Sequence, residues 1–132
     1  MTKTHPLVAV VDDEEPVRTA LMRLMRSAGL SVQSFGSGAE FLQSLETRQP
    51  DCVVLDLHMP EMDGFSVQAQ LARKHAALPV IIITGHDLPT TRELAMASGA
   101  SAFLRKPVHE RTLLHAISAA TSSTKPGRNG TT

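Results

Sequence analysis

This chain has no tryptophan and no tyrosine, and only 4 phenylalanines among its 132 residues. Recognition surfaces built on stacked Tyr or Trp rings are therefore excluded, including the platforms that usually hold a flavin. With a single cysteine, Cys52, no internal disulfide can form. Cys52 lies inside an apolar run, so it reads as a small core residue rather than a redox centre. Charge of one sign is also missing, since 13 basic residues meet 13 acidic ones. That balance argues against a broad electrostatic footprint for nucleic acid, and no direct nucleic-acid contact is expected. No apolar run approaches the roughly 20 residues needed to cross a bilayer. The residues before Leu7 carry no apolar segment of the secretory kind. The expectation is a cytoplasmic chain without membrane association.

What is there is 42% hydrophobic content, enough for one domain of ordinary size with its own core. It is arranged in short runs: Leu7-Val8-Ala9-Val10-Val11, Cys52-Val53-Val54-Leu55, Val80-Ile81-Ile82-Ile83 and Ala102-Phe103-Leu104-Arg105. The Val- and Ile-rich runs have the composition of strands buried on both faces of a parallel sheet. Helical periodicities lie between them. Val17, Ala20, Leu21, Leu24, Met25 and Ala28 form one apolar stripe, with Pro16 in the first turn and Gly29 placed to end it. Ser31–Phe35 alternates as a short strand. Ser37-Gly38-Ala39-Glu40 is a capping-box pattern opening a short helix with Ala39, Leu42 and Leu45 inward. Phe65, Val67, Leu71 and Ala72 mark a helix that ends near Lys74-His75.

A helix from about Pro89 through Ala97 is poor in large apolar residues, and only Leu94 and Met96 stand out. It is expected to be among the less firmly held elements. The closing helix, about 109–120, places Leu113, Leu114, Ile117 and Ala120 at core spacing. Strands alternating with helices predict βαβ units and a parallel α/β sheet. Residues 1–121 form the domain. Residues 122–132 have almost no apolar content and read as a disordered polar tail.

Several strands end on polar side chains. Asp12-Asp13 follows the first run, Asp56 ends the third strand, Thr84 the fourth, and Lys106-Pro107 follows the fifth. In open α/β sheets the C-terminal edge of the strands is where ligands bind. Each residue alone has an ordinary explanation. An aspartate after a strand is often a turn residue, acids at a helix start complement its dipole, and a lysine is usually a solvated surface charge. Their convergence at one edge overturns those defaults.

The sequence resembles a response-regulator receiver domain, the phospho-accepting module of two-component signalling, in its single-domain, chemotaxis-regulator-like form. The matching pieces are Val11-Asp12-Asp13-Glu14, Asp56-Leu57-His58-Met59-Pro60 with Asp63-Gly64, Ile83-Thr84-Gly85, and Gly99-Ala100 followed by Phe103-Leu104-Arg105-Lys106-Pro107. They stand in the family's order and spacing over roughly residues 6 to 121. The resemblance implies a doubly wound, flavodoxin-like (βα)5 fold with strand order 2-1-3-4-5 and a cis bond at Lys106-Pro107.

It also implies a site. Clustered carboxylates call for a cation, and a hard divalent ion such as Mg2+ suits Asp12, Asp13 and Asp56. The backbone carbonyl of His58 is implied as a further metal ligand. Asp56 is implied as the nucleophile, Lys106 and the Thr84 hydroxyl as partners of the phosphoryl oxygens, and Thr84 with Phe103 as the switch. Gly85, His58 and His86 are positions that tune the chemistry. The expected donor is a histidine kinase or a histidine phosphotransfer protein. The signal is expected to leave through a protein docked on the last two helices and last strand, or by onward phosphorelay. The domain is not expected to be an enzyme beyond catalysing its own phosphorylation and dephosphorylation.

Two other readings place this site differently. One is the receiver portion of a longer transcriptional regulator with a helix-turn-helix output domain. The other is an aspartyl-nucleophile phosphatase of the haloacid-dehalogenase kind. Such enzymes want a second acid two residues after the nucleophile, where this chain has His58.

Overall fold

The structure, a computed structural model, describes residues 5–85 and 88–123. The expected disorder of the polar tail falls mostly outside them, as does His86. Five strands alternate with five helices: β1 (Leu7–Val11), α1 (Glu15–Ser27), β2 (Ser31–Phe35), α2 (Gly38–Ser44), β3 (Cys52–Asp56), α3 (Gly64–Lys74), β4 (Val80–Thr84), α4 (Pro89–Ala97), β5 (Ala102–Arg105) and α5 (Glu110–Ser123). The sheet is parallel throughout, in the order β2-β1-β3-β4-β5. The expected flavodoxin-like arrangement is therefore the observed one.

The three central strands are buried along their whole length, as their unbroken apolar sequences require. Successive side chains enter two separate cores. Val8, Val10, Cys52, Val54, Ile81 and Ile83 pack with Leu21 and Met25 of α1 and with Leu113, Ile117 and Ala120 of α5. On the opposite face Ala9, Val11, Val53, Leu55, Ile82 and Phe103 meet Phe41 of α2, Val67 and Leu71 of α3, and Ala95 of α4. Each fully buried Leu, Ile or Phe contributes about 1.5–3 kcal/mol. The Cys52 thiol is pushed up to about 12 by burial and by the neighbouring Asp51 charge, which suits an inert core residue.

The helix boundaries follow local chemistry. Pro16 sits in the first turn of α1, and Gly29, at φ 89°, takes the left-handed turn that ends it. Ser37 Oγ accepts a hydrogen bond from the Glu40 N–H, so the expected cap opens α2. Asp63 Oδ1 caps α3 by accepting from the Ser66 N–H. Gly64 is required by close approach. A Cβ there would lie 2.7 Å from the Asp56 carbonyl oxygen and 2.8 Å from Leu57 Cα. The absent side chain lets α3 start directly against the end of β3.

Several expected core contacts are different. In α2, Phe41 and Leu45 are buried while Ala39 is exposed. Ala20, Ala28 and Ala72 are exposed too, because the larger residues of their helices fill the space against the sheet. In α4, Leu94 and Met96 are 54% and 43% exposed, and Ala95 is the buried residue. A small side chain there lets the helix backbone come close to the sheet. Gln68 of α3, itself buried, donates from Nε2 to the Ala95 carbonyl at 3.0 Å and ties the two helices together. The closing helix runs through Ser123, past the expected end near Ala120. Ser122 and Ser123, assigned to the tail by composition, belong to α5; a run of Ser and Thr does not prevent a helix from adding a further turn.

Candidate functional site

The C-terminal edge of the sheet gathers the polar residues that the sequence singled out. Asp12 follows β1, Asp56 ends β3, Thr84 ends β4 and Lys106 follows β5. The parallel register makes this convergence unavoidable, because Asp56 pairs with Ile83 and Thr84 pairs with Arg105. The Lys106 N–H donates to the Thr84 carbonyl at 2.8 Å, so the lysine leaves the sheet beside that threonine. The Lys106-Pro107 bond is cis. Asp12, Asp56 and Thr84 are all buried, whereas Asp13 is exposed.

Lys106 Nζ lies 2.9 Å from Asp12 Oδ2, 3.5 Å from Asp56 Oδ2 and 3.4 Å from Glu14 Oε1. One cation thus answers three carboxylates. Burial works against its charge, but the contact with Asp12 and the charge of Asp56 outweigh this and raise the lysine pKa. Asp56 is pushed up to about 6, first by burial and then by the Asp12 charge, with Lys106 and the His58 N–H pulling the other way. That N–H donates to Asp56 Oδ1 at 3.3 Å.

Asp12, Asp13 and Asp56 each offer a carboxylate oxygen, and these atoms all lie within 4.8 Å of one another. Asp12 Oδ2 is buried and meets Lys106 Nζ as an ion pair at 2.9 Å. Three carboxylates gathered this closely, with one lysine shared among their charges, form a hard-oxygen set that fits a divalent cation of the magnesium type. The side chain of His58 is exposed. A Cβ built on Gly85 would meet nothing within 4 Å, so the space beside Thr84 is open. Phe103 is buried among the α2–α4 core, with the Arg92 guanidinium 4.9 Å above its ring centroid.

A response regulator receiver domain model matches residues 8–118. The chain belongs to that family. The receiver domain is 43% identical over 126 residues to Nodulation protein W of Bradyrhizobium diazoefficiens, a match covering 95% of this chain and 55% of that protein. It is 40% identical over 101 residues to the DNA-binding transcriptional regulator NtrC of Escherichia coli, covering 76% of this chain and 22% of that one. Among solved structures, a response regulator receiver protein from Burkholderia phymatum superposes with a TM-score of 0.79 at 42% identity, over 89% of this chain and 95% of that chain. The receiver domain spans about half the length of the first curated relatives it matches. Among the described residues no helix is long and apolar enough to cross a membrane.

Two residues at this edge of the receiver domain escape sequence reasoning. Glu14 reads as a charge for the helix dipole, yet it makes no side-chain cap and its carboxylate faces Lys106 instead. Arg18 of α1 draws no reading from the sequence, yet its Nη1 donates to the Asp12 carbonyl at 2.7 Å. The acidity of the Asp12–Glu15 run, and the place of Glu14 in the Val11-Asp12-Asp13-Glu14 motif, were the traces of the first. Nothing in the spacing marks the second, because it depends on how far a side chain reaches back along its helix.

Proposed function

We propose that this receiver domain accepts a phosphoryl group on Asp56 from a phosphohistidine of a histidine kinase or a histidine phosphotransfer protein. The carrying observation is Lys106 Nζ standing 2.9 Å from Asp12 and 3.5 Å from Asp56 within a cluster of three aspartates. A carboxylate oxygen of Asp56 attacks phosphorus and forms an acyl phosphate. The P–N bond breaks, and its electron pair returns to the imidazole of the donor. Such transfer depends on positioning and charge neutralisation, because the transition state spreads charge over the phosphoryl oxygens. A pKa of about 6 leaves Asp56 mostly ionised at neutral pH, as the attack requires. Lys106 supplies positive charge, and the Thr84 hydroxyl donates to a phosphoryl oxygen. Asp12, Asp13 and Asp56, with the His58 carbonyl, would hold Mg2+, which when bound supplies further positive charge. Gly85 leaves room for the incoming group, while His58 and His86 tune its loss.

Thr84 and Phe103 form the switch, shifting an equilibrium between two arrangements of α4, β5 and α5. The partner docks on that surface, or takes the phosphoryl group onward. The domain turns over no other substrate, works in the cytoplasm and touches neither nucleic acid nor membrane. Acetyl phosphate with Mg2+ should add one phosphoryl group by intact mass, and Asp56→Asn should add none. An unchanged adduct in that variant would sink the assignment.

A second reading is favoured by the longer relatives: the match covers about half of Nodulation protein W and of TodT, and 22% of the DNA-binding transcriptional regulator NtrC. In it the receiver precedes a helix-turn-helix output domain and controls it through the same surface. The mass of the protein isolated from its host separates the two readings.

A further inference from the structure

We propose that Arg18 is a positioning residue for the cation site, holding Asp12 through its backbone, and that Gly36 is the slot that admits it. This rests on the metal-binding reading above. Asp12 is held at each of its polar groups. Its N–H donates to the Phe35 carbonyl at 3.1 Å, and its Oδ1 accepts from the Glu14 N–H at 2.9 Å. Its carbonyl accepts from Arg18 Nη1 at 2.7 Å. The last of these is charge-assisted and the shortest, so it is the strongest single restraint on the turn.

The reach is a consequence of helix geometry. Side chains point back toward the helix N-terminus, and Arg18 lies in the first turn of α1, its N–H bonded to the Glu14 carbonyl at 3.1 Å. Its guanidinium therefore reaches the Asp12 backbone carbonyl, while Lys106 contacts the Asp12 carboxylate. There it lies over Gly36, where a Cβ would come within 3.3 Å of Nη1. Gly36 has no positive φ that would demand glycine. Its missing side chain serves the arginine. Lysine could replace the charge of Arg18 but not its planar fork of donors.

Groups that orient metal ligands from behind change metal affinity by about 10–100-fold when lost. Arg18 acts on the backbone rather than on the ligating carboxylate, so the lower end applies. Titration of the metal-free protein with MgCl2 by calorimetry should show a Kd raised about tenfold in Arg18→Met, with part of the loss recovered in Arg18→Lys. Gly36→Ala should weaken binding in the Arg18 protein and have no effect when added to Arg18→Met. Thermal unfolding in EDTA separates this from a general loss of stability, since Gly36→Ala should leave the midpoint nearly unchanged. If the unaltered protein binds no Mg2+, both the metal reading and this inference fail. If it binds, and Arg18→Met binds equally or the two substitutions act additively, the inference alone is overturned. Should Arg18→Met not fold, equal affinities of Arg18→Lys, Gly36→Ala and the unaltered protein overturn it as well.

Discussion

Strand β3 has an aspartate at each end, and the two have opposite fates. Asp51, just before the strand, accepts from the Leu7 N–H at 2.7 Å and donates its own N–H to the Leu7 carbonyl at the same distance. It clamps β3 to β1 with neutral backbone groups. Asp56, at the other end, has a 3.3 Å bond from the His58 N–H and an ion pair at 3.5 Å, with two further aspartates beside it. Burial and the Asp12 charge raise its pKa. Residue type and strand are the same. What differs is the crowding of charge. Asp51 pairs with backbone groups, whereas Asp56 shares one lysine with other buried and exposed carboxylates, and that crowded edge is the one where chemistry can occur.

The largest expected consequence is a stability that depends on acidic-to-neutral pH through Asp56. Its folded pKa of about 6 lies above the ordinary 3.8, so folding favours the protonated form. That contribution is fully present below pH 3.8, falls as pH rises, and is gone above about 6. The gap corresponds to about 3 kcal/mol. In metal-free buffer, Asp56→Asn should therefore be more stable than the unaltered chain by about 2–3 kcal/mol at pH 7.5. The difference should close near pH 4. Denaturant unfolding at both pH values reads it, and a difference independent of pH would mean that burial at the edge of β3 does not strain this carboxylate.

At the opposite end the sign reverses. Asp51→Ala leaves the Leu7 N–H without its partner and should destabilise by about 1–2 kcal/mol, measured as a lower denaturant midpoint with unchanged slope. Phosphorylation by acetyl phosphate should keep its rate. A variant with intact stability and slower phosphorylation would erase the distinction between the two ends.

Sequence made one of these ends more readable than the other. Strand positions and the gathering of Asp12, Asp56, Thr84 and Lys106 were visible because unbroken Val and Ile runs end on polar residues, and parallel strands bring such ends together. The strand order came from the family resemblance, since periodicity gives only the alternation. Asp51, following Pro50, carries no such signal in the sequence, since its partner is 44 residues away in the chain. Helix faces were read less well. The rule that large apolar residues go inward fails in α4, where Leu94 and Met96 are exposed and Ala95 is buried. In α4 the close approach of backbone to sheet reverses that rule, and spacing alone does not reveal it. Arg18 and Glu14 were missed for a related reason. Both are long side chains whose role depends on where the tip goes, which periodicity does not encode.

Glu14 is the intermediate case between the two ends, and it provides the smallest effect. Its carboxylate is 60% exposed and lies 3.4 Å from Lys106 Nζ. An exposed pair of this kind is worth about 0–1 kcal/mol. Glu14 competes with Asp56 and any incoming phosphoryl group for the same lysine, and its negative charge also repels an anionic phosphodonor. Glu14→Gln removes both effects, and they act in the same direction. Phosphorylation by acetyl phosphate should therefore speed up by about two- to fivefold at low ionic strength. Because the carboxylate faces solvent, added salt should screen the effect, and the two rates should converge near 1 M, where the Debye length is about 3 Å. Buried Asp12, 2.9 Å from the same nitrogen, is far less open to screening. A Glu14→Gln rate that is unchanged at low salt, or faster by the same factor at high salt, would show that Lys106 is already committed to Asp12 and that the exposed acid is a bystander.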